Sequence, residues 1–279
     1  LLHVKYVEKK LSRNKKIADE IKLAKTFCHS QKVYGAESYI KGFSGYALEL
    51  LVLHYGSFLK FINAMVRAKI PMIIDPEKKF KTNPLKELNE SKLQSPIILI
   101  DPTYKFRNVT AGLSRETFDK FVLAAKAFLA KPSMEFFLEK ETDVKSLEKI
   151  ALAKKARFVG IRFFTDRQEG DIAATKMKKF FDFIIRELER KEQKIIEKAF
   201  VYSEGQDADG HIIIKENKEI LVRGPPTKMK DASAAFKRAN KKFYARNGYL
   251  WSKKKISLKE IFSHLKRFES EMGVGFKLL

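Results

Sequence analysis

The sequence predicts an α+β chain: a helical first half, then a sandwich of strands and helices that ends in a basic helical tail. Three observations carry this. Apolar residues recur at helical spacing through much of the first half. The second half alternates β-like runs with one long amphipathic segment. Basic residues then crowd beyond the Gly224-Pro225-Pro226 breaker. The length of 279 residues suggests roughly two domains, read here as 1–145 and 146–279, with the basic tail over 225–259.

Over 14–32, Ile17, Ile21, Ala24, Phe27 and Cys28 fall three and four apart, one apolar helix face with lysines opposite. Residues 44–69 are apolar nearly all round and read as a central buried helix; Glu49, His54, Lys60 and Arg67 in the stretch exclude a membrane span. The short runs Pro71–Ile74 and Ile97–Ile100 read as strands, each followed by an Asp-Pro turn, with a polar loop over 76–95. Ser114 is placed to cap a helix whose face is Phe118, Phe121, Val122, Ala125 and Phe128, stopped by Lys131-Pro132. Further on, 157–164 reads as a strand and 173–192 as an amphipathic helix. Strand-like runs follow at 198–203, 211–214 and 219–223. Strand, helix, strand, strand begins a ferredoxin-like or RNA-recognition-like sandwich.

Lys plus Arg is 57 and Asp plus Glu is 34, a net charge of +23, which points to a polyanionic partner, nucleic acid before membrane. The one cysteine, Cys28, forms no internal disulfide, and this favours a reducing, cytoplasmic setting. The five histidines are scattered, so no zinc spacing emerges and no metal site is assigned. No P-loop, G-x-S-x-G or G-x-G-x-x-G motif is present. Asp207-x-Asp209 reads as a hairpin turn rather than a metal pair, and Gly56-Ser57 as packing inside the apolar helix. No catalytic residue is assigned.

Lys228 to Lys259 holds eleven Lys/Arg and one acid, Asp231. Lys237, Arg238, Lys241 and Lys242 sit at i, i+1, i+4 and i+5, which would group them on one side of a helix. Phe236, Phe243, Tyr244, Tyr249 and Trp251 are interleaved. Cations neutralise phosphates and aromatics stack on bases, so Lys237, Arg238, Lys241, Lys242, Arg246 and Tyr249 are candidate RNA contacts. The competing reading is a solvated helix face over core aromatics.

Two further segments are distinctive. Residues 33–51 read VYGAESYIKGFSGYALELL and 101–114 read DPTYKFRNVTAGLS. In order and spacing they resemble the central domain of archaeal (class I) CCA-adding enzymes, the tRNA nucleotidyltransferases. That family shows a Tyr-Gly-x-Glu turn, a Lys-Gly-Phe-Ser-Gly-Tyr helix entry and an Asp-Pro…Arg-Asn-Val loop. Residues 131–137, the 157–164 strand, the 173–192 helix, Gly224-Pro225 and 247–251 continue the resemblance into the family's RNA-recognition-like domain. The family's nucleotidyltransferase head, with its Gly-Ser turn and three carboxylates, has no counterpart here.

The resemblance implies half of a nucleotide pocket: His3 at a phosphate or ribose oxygen, Lys25 facing the triphosphate, Tyr34 against the nucleotide and Arg107 at the base edge. It further implies transfer of C, C and A from CTP and ATP to tRNA 3′ ends. Mg²⁺ would be held mainly by a head, and this chain would be inactive alone, as a split subunit or a fragment. The implied partners are tRNA and the head, with a homo-oligomer open and no membrane. The competing reading is a non-catalytic tRNA-binding protein without a head. A poly(A)-polymerase-like transferase that ignores CTP and an anionic-membrane binder are further alternatives.

Overall fold

The computed structural model describes residues 2–139, 143–202 and 205–279. They fall into two compact units, Leu1–Glu141 and Thr142–Leu279.

In the first unit, α1 (Leu2–Arg13) precedes α2 (Ile17–Ser30), which buries the expected Ile17, Ile21, Ala24, Phe27 and Cys28. The apolar stretch that follows is two helices, α3 (Gly45–Tyr55) and α4 (Phe58–Val66), and not the single helix its sequence suggests. Gly56 closes α3 in the left-handed region, at φ 83°, where a side chain would be strained. The Ser57 hydroxyl then caps α4 by accepting from the Lys60 N–H. The Glu20 carboxylate accepts from the Phe58 N–H at 2.8 Å, which sets a negative charge at the start of α4. A helix that is apolar all round offers no periodic contrast by which such a corner can be read.

Aromatic rings fill the space between α2, α4 and the later α6. Phe27 has its ring 5.4–6.4 Å from those of Phe58, Phe121, Phe128, Phe136 and Phe137. Truncating so central a ring costs about 3–5 kcal/mol.

A small sheet flanks this core. β1 (Met72–Ile74) precedes α5 (Pro84–Glu87), one turn within the polar 76–95 segment; β2 (Ile97–Asp101) and β3 (Tyr104–Asn108) follow. The order is β1-β2-β3, parallel and then antiparallel. Asn108 organises the turn beyond β3. Its amide donates to the Lys92 carbonyl and the Ser95 hydroxyl, and its Oδ1 accepts from the Leu99 and Thr110 N–H groups. Then α6 (Arg115–Ala130) starts at the expected cap, Ser114, whose hydroxyl accepts from the Thr117 N–H.

The second unit starts with α7 (Val144–Ala153), β4 (Arg157–Phe164), α8 (Gly170–Arg190), β5 (Lys194–Val201) and β6 (Asp207–Lys215). Ser203, the end of the run expected at 198–203, lies outside the described residues. Next come β7 (Glu219–Pro226), α9 (Lys230–Ala239), β8 (Phe243–Arg246) and β9 (Tyr249–Lys255). The chain closes with α10 (Leu258–Leu265), α11 (Glu269–Met272) and β10 (Gly275–Leu278). One sheet has the order β10-β4-β6-β5, antiparallel throughout. With α8 and α10 this is the βαββαβ ferredoxin-like plan.

The segment from β7 to β9 is inserted between its third strand and second helix. It forms its own sheet of order β7-β9-β8. The 219–223 run therefore belongs to this insert, and the sandwich is closed by α10 and β10, beyond the basic stretch. The sequence also misplaces Asp207 and Asp209. They stand on β6, opposite Phe164 and Arg162 of β4, and not in a hairpin turn. Among the described residues, no helix is long and apolar enough to cross a membrane.

Candidate nucleotide pocket and nucleic-acid interface

In the first unit, the predicted pocket residues gather around the first turn of α3. Lys25, on α2, donates from Nζ to Oε1 of Glu49, on α3, at 2.6 Å. Tyr34 follows α2, and its ring stacks on His29 at 4.5 Å and 22°. A Cβ placed on Gly45 would lie 2.9 Å from the Tyr34 hydroxyl and 3.8 Å from Lys25 Nζ. The bare Gly45 backbone is what admits the Tyr34 hydroxyl to the start of the helix, while Lys25 Nζ sits at ordinary contact distance. Beside them is an open concavity of ≈ 350 Å³ lined by Lys25, His29, Ser30, Tyr34, Phe137 and Glu139.

Tyr46, the next residue of α3, holds the other two. Its ring lies 5.1 Å from that of His3, on α1. Its hydroxyl donates to Asp101 Oδ1 at 3.1 Å. Burial, with Asp101 beside it, pushes the Tyr46 phenol well above its usual range. The Thr103 N–H and hydroxyl donate to the same Oδ1 at 2.8 and 2.7 Å. Asp101 Oδ2 is left for the Arg107 guanidinium, at 3.6 Å. Asp101 is 1% exposed while the Arg107 side chain is 55% exposed, so a buried acid anchors a cation that faces solvent.

The four residues therefore fall in two connected pairs, Lys25 with Tyr34 and His3 with Arg107, joined through Gly45, Tyr46 and Glu49. Sequence reasoning missed Tyr46, Asp101, Thr103 and the pairing role of Glu49. The signal for Glu49 was a lone acid in an otherwise apolar helix, which calls for a partner.

In the second unit, α9 carries Lys237 and Arg238 in its last turn. It ends at Ala239, where Asn240 turns extended and donates from its amide to the Phe236 carbonyl. This corrects the expected helical grouping. Lys241 and Lys242 lie in the turn before β8, and the segment 241–248 is exposed throughout. Arg246 and Tyr249 face each other across a two-residue turn, Asn247-Gly248, in which both φ angles are positive, 50° and 76°; Asn-Gly is the favoured pair for this hairpin. Arg223 of β7 stacks on the Tyr249 ring, 3.6 Å from its centre. The register puts Tyr244, Trp251 and Arg223 side by side across β8, β9 and β7. Gly224 packs against the Phe236 ring. Arg223 was hidden because it precedes the Gly-Pro-Pro stretch that reads as a boundary.

Residues 19–138 match the family "tRNA nucleotidyltransferase, second domain". The "CCA-adding enzyme" of Pyrococcus abyssi is 32% identical over 261 residues, 90% of this chain and 54% of that protein. That of Thermococcus gammatolerans is 29% identical over 100% of this chain and 59% of its own length. That of Saccharolobus shibatae is 44% identical over 48% of this chain and 30% of its own length. Residues 19–138 are thus similar to the second domain of tRNA nucleotidyltransferases. The chain as a whole is a relative of the archaeal CCA-adding enzymes, and it spans about half the length of those it matches end to end.

Proposed function

We propose that this chain is the nucleotide- and tRNA-binding portion of a CCA-adding enzyme. Such an enzyme joins the tRNA 3′-hydroxyl to the α-phosphorus of CTP, CTP and then ATP, with release of pyrophosphate. The observation that carries the reading is the convergence of Lys25, Tyr34, His3 and Arg107 around the start of α3, the first, second and fourth of them within the residues similar to the tRNA nucleotidyltransferase second domain.

Each group has a part. The Arg107 fork, held from behind by Asp101, offers paired donors to acceptors on a base edge. Lys25 gives a compact charge to the phosphates, exchanging Glu49 for them as the nucleotide arrives. Tyr34 lies against the nucleotide, and His3 donates to a phosphate or ribose oxygen. The exposed cations Lys237, Arg238, Lys241, Lys242 and Arg246, with Tyr249, hold the acceptor stem and T arm by shape and phosphate contacts.

The residues here do not fit the Mg²⁺ the reaction uses. Among the described residues no group of three or more His, Cys, Asp or Glu can hold a metal ion. Asp101 is committed to Tyr46, Thr103 and Arg107, and Asp209 to Arg162. The metal and the carboxylates belong to a nucleotidyltransferase head, joined to this chain or separate from it, in the cytoplasm.

The test is incorporation of labelled CTP and ATP into tRNA lacking its CCA end, by this chain alone and with a head polypeptide added. Incorporation only with the head is expected. Incorporation by the chain alone would place the catalytic acids within it. Salt-sensitive tRNA binding without incorporation in either case would make it a non-catalytic tRNA-binding protein.

A further inference from the structure

The 76–95 segment, which the reading above leaves without a role, folds against β3 and builds a second aromatic and cationic surface in the first unit. Phe80 sits in the run Lys78-Lys79-Phe80-Lys81. Its N–H donates to Asp75 Oδ2 at 3.0 Å, which fixes the loop. Its ring meets Phe106 of β3 at 6.4 Å, and Phe106 meets Tyr104 at 6.1 Å; both contacts are edge-on, at 81° and 73°.

β3 is the edge of its sheet, and these rings are not sealed in the core. Tyr104 is 58% and Phe106 38% exposed. Lys105 Nζ lies 4.6 Å from the Phe106 ring centre and 5.4 Å from that of Phe80. Lys92 Nζ donates to the Phe106 carbonyl at 2.8 Å. Lys78, Lys79 and Lys81 are exposed. Glu87 lies 3.7 Å from Lys105, Asp75 is held by the Phe80 N–H, Glu90 is exposed two residues before Lys92, and the nearby Glu77 is taken by Tyr6 and Lys10.

Large apolar rings left at a strand edge call for a partner. Lysines around the rings repel a basic partner and favour a polyanion, and ring faces suit the faces of bases that are not already stacked in a duplex. We propose that Phe80, Tyr104 and Phe106, with Lys79, Lys81, Lys92 and Lys105, bind unpaired nucleotides of an RNA strand. This rests on the reading of RNA as the partner. It differs from the β7–β9–β8 surface in its ligand, single-stranded RNA in place of the duplex.

The test uses the whole chain and two labelled probes followed by fluorescence anisotropy: a single-stranded oligoribonucleotide of eight residues and a blunt RNA hairpin. Tyr104→Ala/Phe106→Ala should weaken the single strand about tenfold to a hundredfold and leave the hairpin unchanged. Tyr104→Phe/Phe106→Tyr keeps both rings and should retain the affinity, which separates stacking from misfolding. Lys105→Ala should lower the salt slope for the single strand by about 0.7. Equal binding of the single strand by the parent and the double-alanine variant overturns the proposal. So does loss of affinity for a head polypeptide with RNA binding intact, because the surface would then be a protein contact. If the parent binds neither probe, the broader RNA reading fails.

Discussion

The two candidate sites, the pocket of the first unit and the β7–β9–β8 surface of the second, present cations in opposite ways. In the first, Arg107 is tied to a buried acid that is itself held by three donors, and Lys25 is paired with Glu49. On the β7–β9–β8 surface, Lys237, Arg238, Lys241, Lys242 and Arg246 are exposed, and Arg223 and Lys237 lie over rings. A cation fixed by a buried carboxylate has a set direction, which suits discrimination among bases. A field of exposed cations tolerates many phosphate positions and is weakened by salt. On the proposed reading, the difference separates choosing a small ligand from holding a large one.

The largest effect should come from Asp101→Ala. It strands the Tyr46 hydroxyl, the Thr103 donors and the Arg107 guanidinium around a buried hole. A loss of about 3 kcal/mol in urea unfolding is expected, where an exposed-site substitution such as Lys241→Ala should stay within about 0.5 kcal/mol. Equal costs at the two sites would erase the contrast.

Next is Arg238→Ala/Lys241→Ala/Lys242→Ala, titrated with tRNA across salt concentrations. Three lost phosphate contacts should flatten the log–log slope by about 2–3 with no change in the midpoint of unfolding. An unchanged slope would remove these residues from the interface.

Gly56→Ala should cost about 1 kcal/mol in the same unfolding assay, because φ at 83° is strained for any residue with a Cβ. A stabilised variant would contradict a left-handed corner between α3 and α4.

The smallest effect concerns pH. His211 is 7% exposed and stacks on Phe158. Burial, first, and Arg162 lower its pKa, against an opposing effect from Asp209. The unfolded chain then binds the proton more readily, so stability is fully present above the unfolded pKa of about 6.5 and is lost as pH falls below it toward and through the lower folded pKa. His211→Phe should flatten the acid side of the stability profile; an unaltered profile would show that His211 binds its proton equally well in the folded and unfolded chain, contrary to the lowered pKa.

The legible parts of the fold are those with contrast between faces. α2 and α6 were readable because apolar and polar sides alternate with helical period, and β4 because a dense apolar run of strand length is bounded by polar residues. The corner at Gly56 was invisible inside a helix without a polar side. Asp207 and Asp209 looked like a turn from their Gly-rich surroundings, yet Asp209 is held on β6 by a two-point contact from Arg162, which no local pattern reveals. The insert also splits the sandwich in sequence, so β10, hydrogen-bonded to β4, is more than a hundred residues from its neighbour. At the candidate site, the family resemblance proposed the cations Lys25 and Arg107. The groups that aim them, Tyr46 and Asp101, meet only in three dimensions.

The most direct measurement is steady-state kinetics of C and A addition by this chain with an added nucleotidyltransferase head polypeptide, comparing Arg107→Ala with Lys241→Ala/Lys242→Ala. The account predicts that Arg107→Ala raises the nucleotide KM or blurs the choice between CTP and ATP while the tRNA KM holds. The lysine variant should raise the tRNA KM alone. If both variants move the same KM, or if neither moves any, the assignment of nucleotide choice to the Arg107 pocket and of tRNA holding to Lys241 and Lys242 is wrong.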